Sequence, residues 1–259
     1  MASTICAVAA AGATLGDEEH AAVIRTVVAA SDGRVPVVAG CGSNDTRRTL
    51  AAARRAAAAG ADALLVVTPY YNKPNRSGLL EHYRAVAGET DRPLIVYNVP
   101  GRTGQNVPAD WMLELASIPG VAGVKEASGD LDQIASILAA RPQGFVVLSG
   151  DDSLALPTIA LGAEGVISVV SNEAPGEMAA LVSAARAGDL ALARELHFRL
   201  LPLMRANFLE SNPVPVKAAL ARLGRCAAHL RAPLGPPSAQ TRGRIDEALA
   251  AAGLSGAER

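Results

Sequence analysis

Short, almost wholly apolar runs recur along this chain, at 35–39, 63–67, 94–98, 121–126, 145–149 and 165–169. A longer Ala- and Leu-rich stretch follows each one. The runs are bounded by Gly, Pro or polar residues and show no apolar/polar alternation. That pattern suits strands buried on both faces of a parallel sheet. Helices are expected between them at 18–30, 46–59, 78–88, 109–117, 131–140 and 153–161. Their entry signals are Asn44 before the second and Pro108-Ala109-Asp110 at the fourth. Strict alternation of strand and helix dictates an α/β fold with right-handed crossovers. An opening strand at 3–7 brings the number of expected strands to seven. An open doubly wound sheet can hold seven strands, whereas a (β/α) barrel needs eight, so the pattern alone leaves both architectures open. After Val170 the strand pattern stops. Helices are expected at 175–187, 190–207, 215–223 and 240–252, with Ala-Pro-Leu-Gly-Pro-Pro at 232–237 as a turn-rich connection. The domain reading is a (β/α) region at 1–172 and a helical region at 173–259.

Composition narrows the function classes. Twenty-four basic and 25 acidic side chains leave a net charge of -1, which offers no field for nucleic acid or an anionic membrane. Three cysteines, Cys6, Cys41 and Cys226, are too few and too irregularly spaced for a disulfide frame or a metal site. A reduced, cytoplasmic compartment is expected. The opening residues carry no basic leader, so a signal peptide is not expected. Of the 24 basic residues only Lys73, Lys125 and Lys217 are lysine, so each is worth asking what its amine does.

Lys125 ends an apolar run, in Val-Ala-Gly-Val-Lys-Glu-Ala at 121–127. Ligand sites of α/β proteins lie at the carboxyl ends of their strands. A buried amine there is pushed down from about 10.4 and becomes a nucleophile for carbonyls. The competing reading is a buried ion pair. Neighbours on a strand face opposite ways, so Lys125 and Glu126 are expected on different sides. Tyr97 ends another run, where its phenol is either a proton shuttle or a core side chain with a satisfied hydroxyl. Arg102 follows the same strand and is either a bidentate carboxylate clamp or an ordinary loop arginine. Tyr70 and Tyr71 share a loop and point different ways. Asp152 or Ser153 is expected to cap a helix. His20 and His82 are expected on the surface of their helices. No Gly-rich phosphate loop follows a strand, so no nucleotide cofactor is indicated.

Five motifs taken together resemble the dihydrodipicolinate synthase (4-hydroxy-tetrahydrodipicolinate synthase) family. They are TPYYNKP at 68–74, YNVPGRTG at 97–104, GVKEASGD at 123–130, LSGDDS at 148–153 and GVISV at 165–169, with ESNPVPVK at 210–217 in the helical region. Their order and spacing are the family's, from about Ala13 onward. The resemblance implies a (β/α)8 barrel of TIM type with a C-terminal helical extension. It implies a lyase of the class I aldolase kind, which condenses pyruvate with aspartate semialdehyde through a lysine Schiff base in lysine and diaminopimelate biosynthesis. It assigns Lys125 to the imine, Tyr97 to the proton relay and Tyr71 to that relay across a dimer interface. It assigns Arg102 to the carboxylate of the aldehyde substrate, and Gly150 and Ile167 to the pyruvate pocket. No metal or organic cofactor is needed for this chemistry. A homo-oligomer is implied, a dimer usually paired into a tetramer. The alternatives are a pyruvate-dependent sugar-acid aldolase, an N-acetylneuraminate lyase-like enzyme, or a non-catalytic paralogue.

Two departures from the family pattern bear on activity. The barrel's first strand and helix are read as missing ahead of Ser3, and Val8 and Ala9 fall where two threonines are expected. Little or no synthase activity of the chain as written is expected from both. In lysine-inhibited relatives the effector positions match His20, Asn44 and Tyr70, but Arg48 falls where a glutamate holds the effector's amine. Weak or absent lysine inhibition is expected.

Overall fold

The computed structural model describes residues 6–8 and 14–254, with the backbone alone at 6–8. Contacts divide the chain into two units. One comprises Met1–Gly150 with Leu161–Ile167, and the other Asp151–Ala160 with Ser168–Arg259. The changeover therefore falls at Ser168, and residues 151–160 join the helical unit.

In the first unit the strands are β1 (Cys6–Val8), β2 (Val37–Gly40), β3 (Ala63–Val67), β4 (Leu94–Asn98), β5 (Val121–Glu126), β6 (Val146–Ser149) and β7 (Gly165–Val166). The helices between them are α1 (Asp17–Ser31), α2 (Thr46–Ala58), α3 (Arg76–Glu89), α4 (Pro100–Thr103), α5 (Ala109–Ala116) and α6 (Leu131–Ala140). Among the described residues the strands form one seven-stranded sheet in the order β1-β2-β3-β4-β5-β6-β7, and every neighbouring pair is parallel. A doubly wound sheet reverses its strand order at a switch point. This one has no reversal, which is the order of a barrel wall.

Alternate residues of the strands bury on opposite faces. Leu64, Val66, Leu94, Val96 and Val124 pack in a cluster with Ile24, Tyr83, Met112, Leu115 and Ile137 of the helices. Val38, Leu65, Ile95, Leu148 and Ile167 form a second cluster, joined by Tyr97. Both faces are dry, which is why the runs contain no polar alternation. Three of these helices, α2, α3 and α6, start where short acceptor side chains bind free N–H groups. Asp45 accepts from the N–H of Arg47 and Arg48, Asn75 from Gly78, and Asp130 from Asp132 and Gln133.

Several expectations are corrected. The cap of α2 is Asp45, not Asn44. β7 ends at Val166 rather than 169, and the short α4 was not foreseen. His20 and His82 are buried, not on the surface. His20 Nε2 lies 2.8 Å from the Gly40 carbonyl oxygen, and His82 Nδ1 2.9 Å from Thr46 Oγ1. A helix face packed on its neighbours can bury an imidazole once each ring finds a polar partner on another element.

The second unit holds α7 (Ala155–Ala160), α8 (Pro175–Arg186), α9 (Leu190–Ala206), α10 (Val214–Arg222) and α11 (Ala239–Ala251), with 3-10 turns at Asp152–Leu154 and Val170–Asn172. Asp152 does not cap α7. Its Oδ2 accepts the N–H groups of Val169 and Val170 at 2.9 and 3.0 Å. Leu156, Ile159, Ala184 and Ala193 bury between α7, α8 and α9.

Candidate active site

Lys125 and Tyr97 are register partners at the ends of β5 and β4. The lysine is 7% exposed, and its Nζ lies 4.2 Å from the centroid of the Tyr97 ring. A cation over a ring face is held by the ring quadrupole. The lysine's direction is set by a register shift between Leu94 and Ile95, across which Val121 and Gly123 become consecutive partners. Val121 and Val124 both belong to the helix-side cluster, although they are three residues apart. Ala122 is thus the extra residue of a bulge, which reverses the phase of the strand. Without it Lys125 would face the helices. With it Lys125 shares the face of Tyr97 and Ile167, and Glu126 takes the helix side as expected.

Glu126 is 1% exposed and gathers donors. Asn98 Nδ2 donates to both of its carboxyl oxygens at 3.0 Å, the Ser128 N–H to Oε1 at 2.8 Å and Gln133 Nε2 to Oε2 at 3.4 Å. Burial pushes its carboxyl above the usual range, and these hydrogen bonds pull it back. Asn98 is also a register partner of Glu126. It donates to Asn106 Oδ1 at 2.9 Å and accepts the Val107 N–H at 3.2 Å. Asn106 in turn donates to Gln133 Oε1 at 2.7 Å. Sequence reading missed this network, because Asn98 and Glu126 looked like the polar ends of two apolar runs.

The remaining candidate residues follow the ends of β6, β7, β4 and β3 in the chain. The Gly150 N–H donates to the Glu126 carbonyl at 2.7 Å, and a Cβ at Gly150 would stand 2.5 Å from that of Ala127. Only glycine lets β6 and the turn after β5 approach so closely. Ile167 is 8% exposed in the same cluster as Tyr97. Arg102 lies exposed on α4, with its N–H donating to Val99 O at 2.9 Å. Tyr71 is 88% exposed and holds φ +72. That left-handed conformation is unfavourable for an aromatic residue. Its N–H reaches the Thr103 carbonyl at 3.4 Å, which ties the tyrosine loop to α4. Lys125, Tyr97 and Ile167 thus share one face, and Tyr71 and Arg102 stand on adjoining loops. Of the effector positions, His20 is buried, and Arg48 is exposed. Val8 pairs with Ala39 through its backbone. Its side chain and Ala9 lie outside the described residues.

The fold and the paired side chains define a class first: a parallel α/β sheet in chain order, with an amine at the carboxyl end of one strand against a tyrosine from the next. More particularly, the chain belongs to the dihydrodipicolinate synthetase family, whose model matches residues 2–252. A 4-hydroxy-tetrahydrodipicolinate synthase of Methanospirillum hungatei is 50% identical over 245 residues, 94% of this chain and 84% of that one. The crystal structure of dihydrodipicolinate synthase from Aquifex aeolicus aligns with a TM-score of 0.93 at 41% identity, over 98% of this chain and 88% of that one. The Acinetobacter baumannii enzyme, solved in complex with pyruvate, aligns with a TM-score of 0.93 at 40% identity, over 96% and 87%. A monomeric dihydrodipicolinate synthase variant aligns equally well, at 40% identity over 96% and 86%.

Proposed function

We propose that this protein is a 4-hydroxy-tetrahydrodipicolinate synthase, with pyruvate and aspartate semialdehyde as substrates and Lys125 as its nucleophile. The observation that carries the reading is the buried Lys125 amine, 4.2 Å from the centroid of the Tyr97 ring at paired strand ends. Relatives at half identity bearing the synthase name favour it over a sugar-acid aldolase, an N-acetylneuraminate lyase-like enzyme or an inert paralogue.

The chemistry follows from the residue types. The lysine amine adds to the keto carbon of pyruvate, and water leaves as the imine forms. Loss of a methyl proton gives an enamine, whose carbon attacks the aldehyde carbon of the second substrate. The amine of that substrate then displaces Lys125 from the imine carbon, which closes the ring and frees the enzyme. Each step moves a proton at nitrogen, oxygen or carbon. The reading gives this role to the Tyr97 phenol, with Tyr71 as its second member from a neighbouring subunit. The Arg102 guanidinium offers a fork for a carboxylate at the rim. Gly150 and Ile167 bound the space for pyruvate.

The same reading takes the seven strands as part of an eight-stranded barrel. Their chain order and the alignment with solved relatives support it. The remaining strand and helix are not among the described residues. Assembly as a homo-oligomer and a cytoplasmic location belong to the proposal. In support of the location, Cys41 and Cys226 are free thiols, and no helix of the described residues is long and apolar enough to cross a membrane.

Incubation with pyruvate and borohydride tests the proposal. Reduction of the imine leaves a stable adduct, and with three lysines in the chain peptide mass mapping reads its position directly. The adduct is expected on Lys125. One on Lys73 or Lys217, or none at saturating pyruvate, rules the nucleophile out.

A further inference from the structure

We infer that Glu126 is a positioning residue, which acts through Asn98 to hold Tyr97 in place against Lys125. The inference rests on the lysine-imine reading above and deepens it. Parallel ladders fray at their ends, and the reacting pair sits at such an end. Tyr97 and Lys125 are partners, and the next partners along, Asn98 and Glu126, are the last of the β4–β5 ladder. These two turn to the opposite face and join side chain to side chain, at 3.0 Å to each carboxyl oxygen. The ladder therefore ends in a side-chain clamp one residue beyond the site.

The clamp is anchored on three further pieces of chain. The Ser128 N–H ties Glu126 to the turn after β5, and Gln133 ties it to α6. Asn98 binds Asn106 and Val107, beyond α4 and its Arg102. The groups that face the Glu126 carboxyl donate to it: Asn98 Nδ2, the Ser128 N–H and hydroxyl, and Gln133 Nε2. The site therefore needs an acceptor-only side chain at 126, which is a carboxylate and not an amide. The cost of burying that charge is offset by the hydrogen bonds, and they are directional. A group that fixes reacting atoms within a fraction of an ångström acts on rate rather than on affinity.

The test measures the rate of pyruvate adduct formation on Lys125, as trapped by borohydride, against pyruvate concentration. Glu126→Gln places a donor against donors, and Asn98→Ser cuts the clamp from the β4 side. Each is expected to lower the maximal trapping rate by about ten-fold or more, the scale that a misplacement of reacting groups produces, and to leave the half-saturating pyruvate concentration within about two-fold. Glu126→Asp keeps an acceptor-only side chain at this position and is expected to rescue part of the rate that Glu126→Gln loses. A purely structural role would lower the melting temperature without that split and without that rescue. A folded Glu126→Gln or Asn98→Ser variant that traps pyruvate at the wild-type rate overturns the inference, as does a folded Glu126→Asp variant no faster than Glu126→Gln. Wild-type protein that forms no adduct on Lys125 overturns the lysine-imine reading instead, so the two failures are distinct.

Discussion

The direction of one side chain carries the chemistry, and a residue with almost no side chain sets it. Gly123 follows the bulged Ala122, and a Cβ at that position would stand 2.6 Å from the carbonyl oxygen of Val146. Gly123→Ala must therefore push β6 away or undo the bulge. Overpacking of this kind costs about 1–3 kcal/mol. We expect a lower urea midpoint together with weaker pyruvate trapping on Lys125. Unchanged values of both would show that the bulge does not depend on Gly123. Lys125 and Tyr97 were legible in the sequence because each puts a polar group at the end of an apolar run. Their mutual contact was not, since a two-residue period cannot reveal one extra residue. Ala-Gly inside Val-Ala-Gly-Val reads as ordinary strand until the register is seen. The clamp of Asn98 and Glu126 was hidden for the same reason.

At the scale of elements, the strands and most helices were legible from apolar runs and entry residues, and the connections were not. The four-residue α4 is too short to show a period, and Asp152 resembles a cap until the donors to its carboxylate are traced to the N–H groups of Val169 and Val170. A second buried carboxyl lies nearby in sequence. Glu173, at the end of the turn after β7, accepts from Asn207 Nδ2 at 2.8 Å at the end of α9. Glu173 Oε1 and Asn207 Oδ1 are both buried without a hydrogen-bond partner. One proton on Glu173 would satisfy both acceptors and close a two-bond acid–amide ring. Burial raises the Glu173 carboxyl from 4.5 to about 8, with Asp152 adding to the rise and Asn207 and Arg225 opposing it. The folded protein therefore keeps a proton that the unfolded chain releases. This contribution is complete below about pH 4.5 and is lost as pH rises through about 8. Glu173→Gln supplies an N–H for the same ring at every pH. Urea titrations are expected to show wild type losing stability relative to this variant between those limits, by on the order of 2–4 kcal/mol. A constant difference across the range would mean that Glu173 does not carry the proton.

For the molecule as a whole, the alternation of strand and helix fixed the fold class, and the choice between an open sheet and a barrel wall had to wait for strand order. Apolar runs look alike whichever neighbour they pair with, so topology is invisible to periodicity. Only the resemblance of the motifs pointed to a barrel in advance. Assembly belongs to this scale as well. Tyr71 is the most exposed large hydrophobic residue of those described, at 88%, and sits on a left-handed backbone tied to Thr103. An aromatic side chain held outward at a conformational cost is what a subunit interface would use. Light scattering at micromolar concentration is expected to give a dimer or tetramer with two-fold symmetry. A stable monomer, as the related monomeric variant shows to be attainable on this fold, would remove Tyr71 from the proton relay.

The chain-order sheet also bears on how the protein comes into being. Among the described residues each ladder joins a strand to the next one made. As the chain leaves the ribosome, β4 and Tyr97 can dock on β3, then β5 and Lys125 on β4, then β6 with Gly150, and last β7 with Ile167 beyond it. Pairing each strand with the next keeps the loop closed by each ladder short for a parallel sheet, which favours stepwise folding. The candidate site residues therefore arrive in the order in which they are translated, and Lys125 acquires Tyr97 and the β6 strand before most of the helical unit has been synthesised.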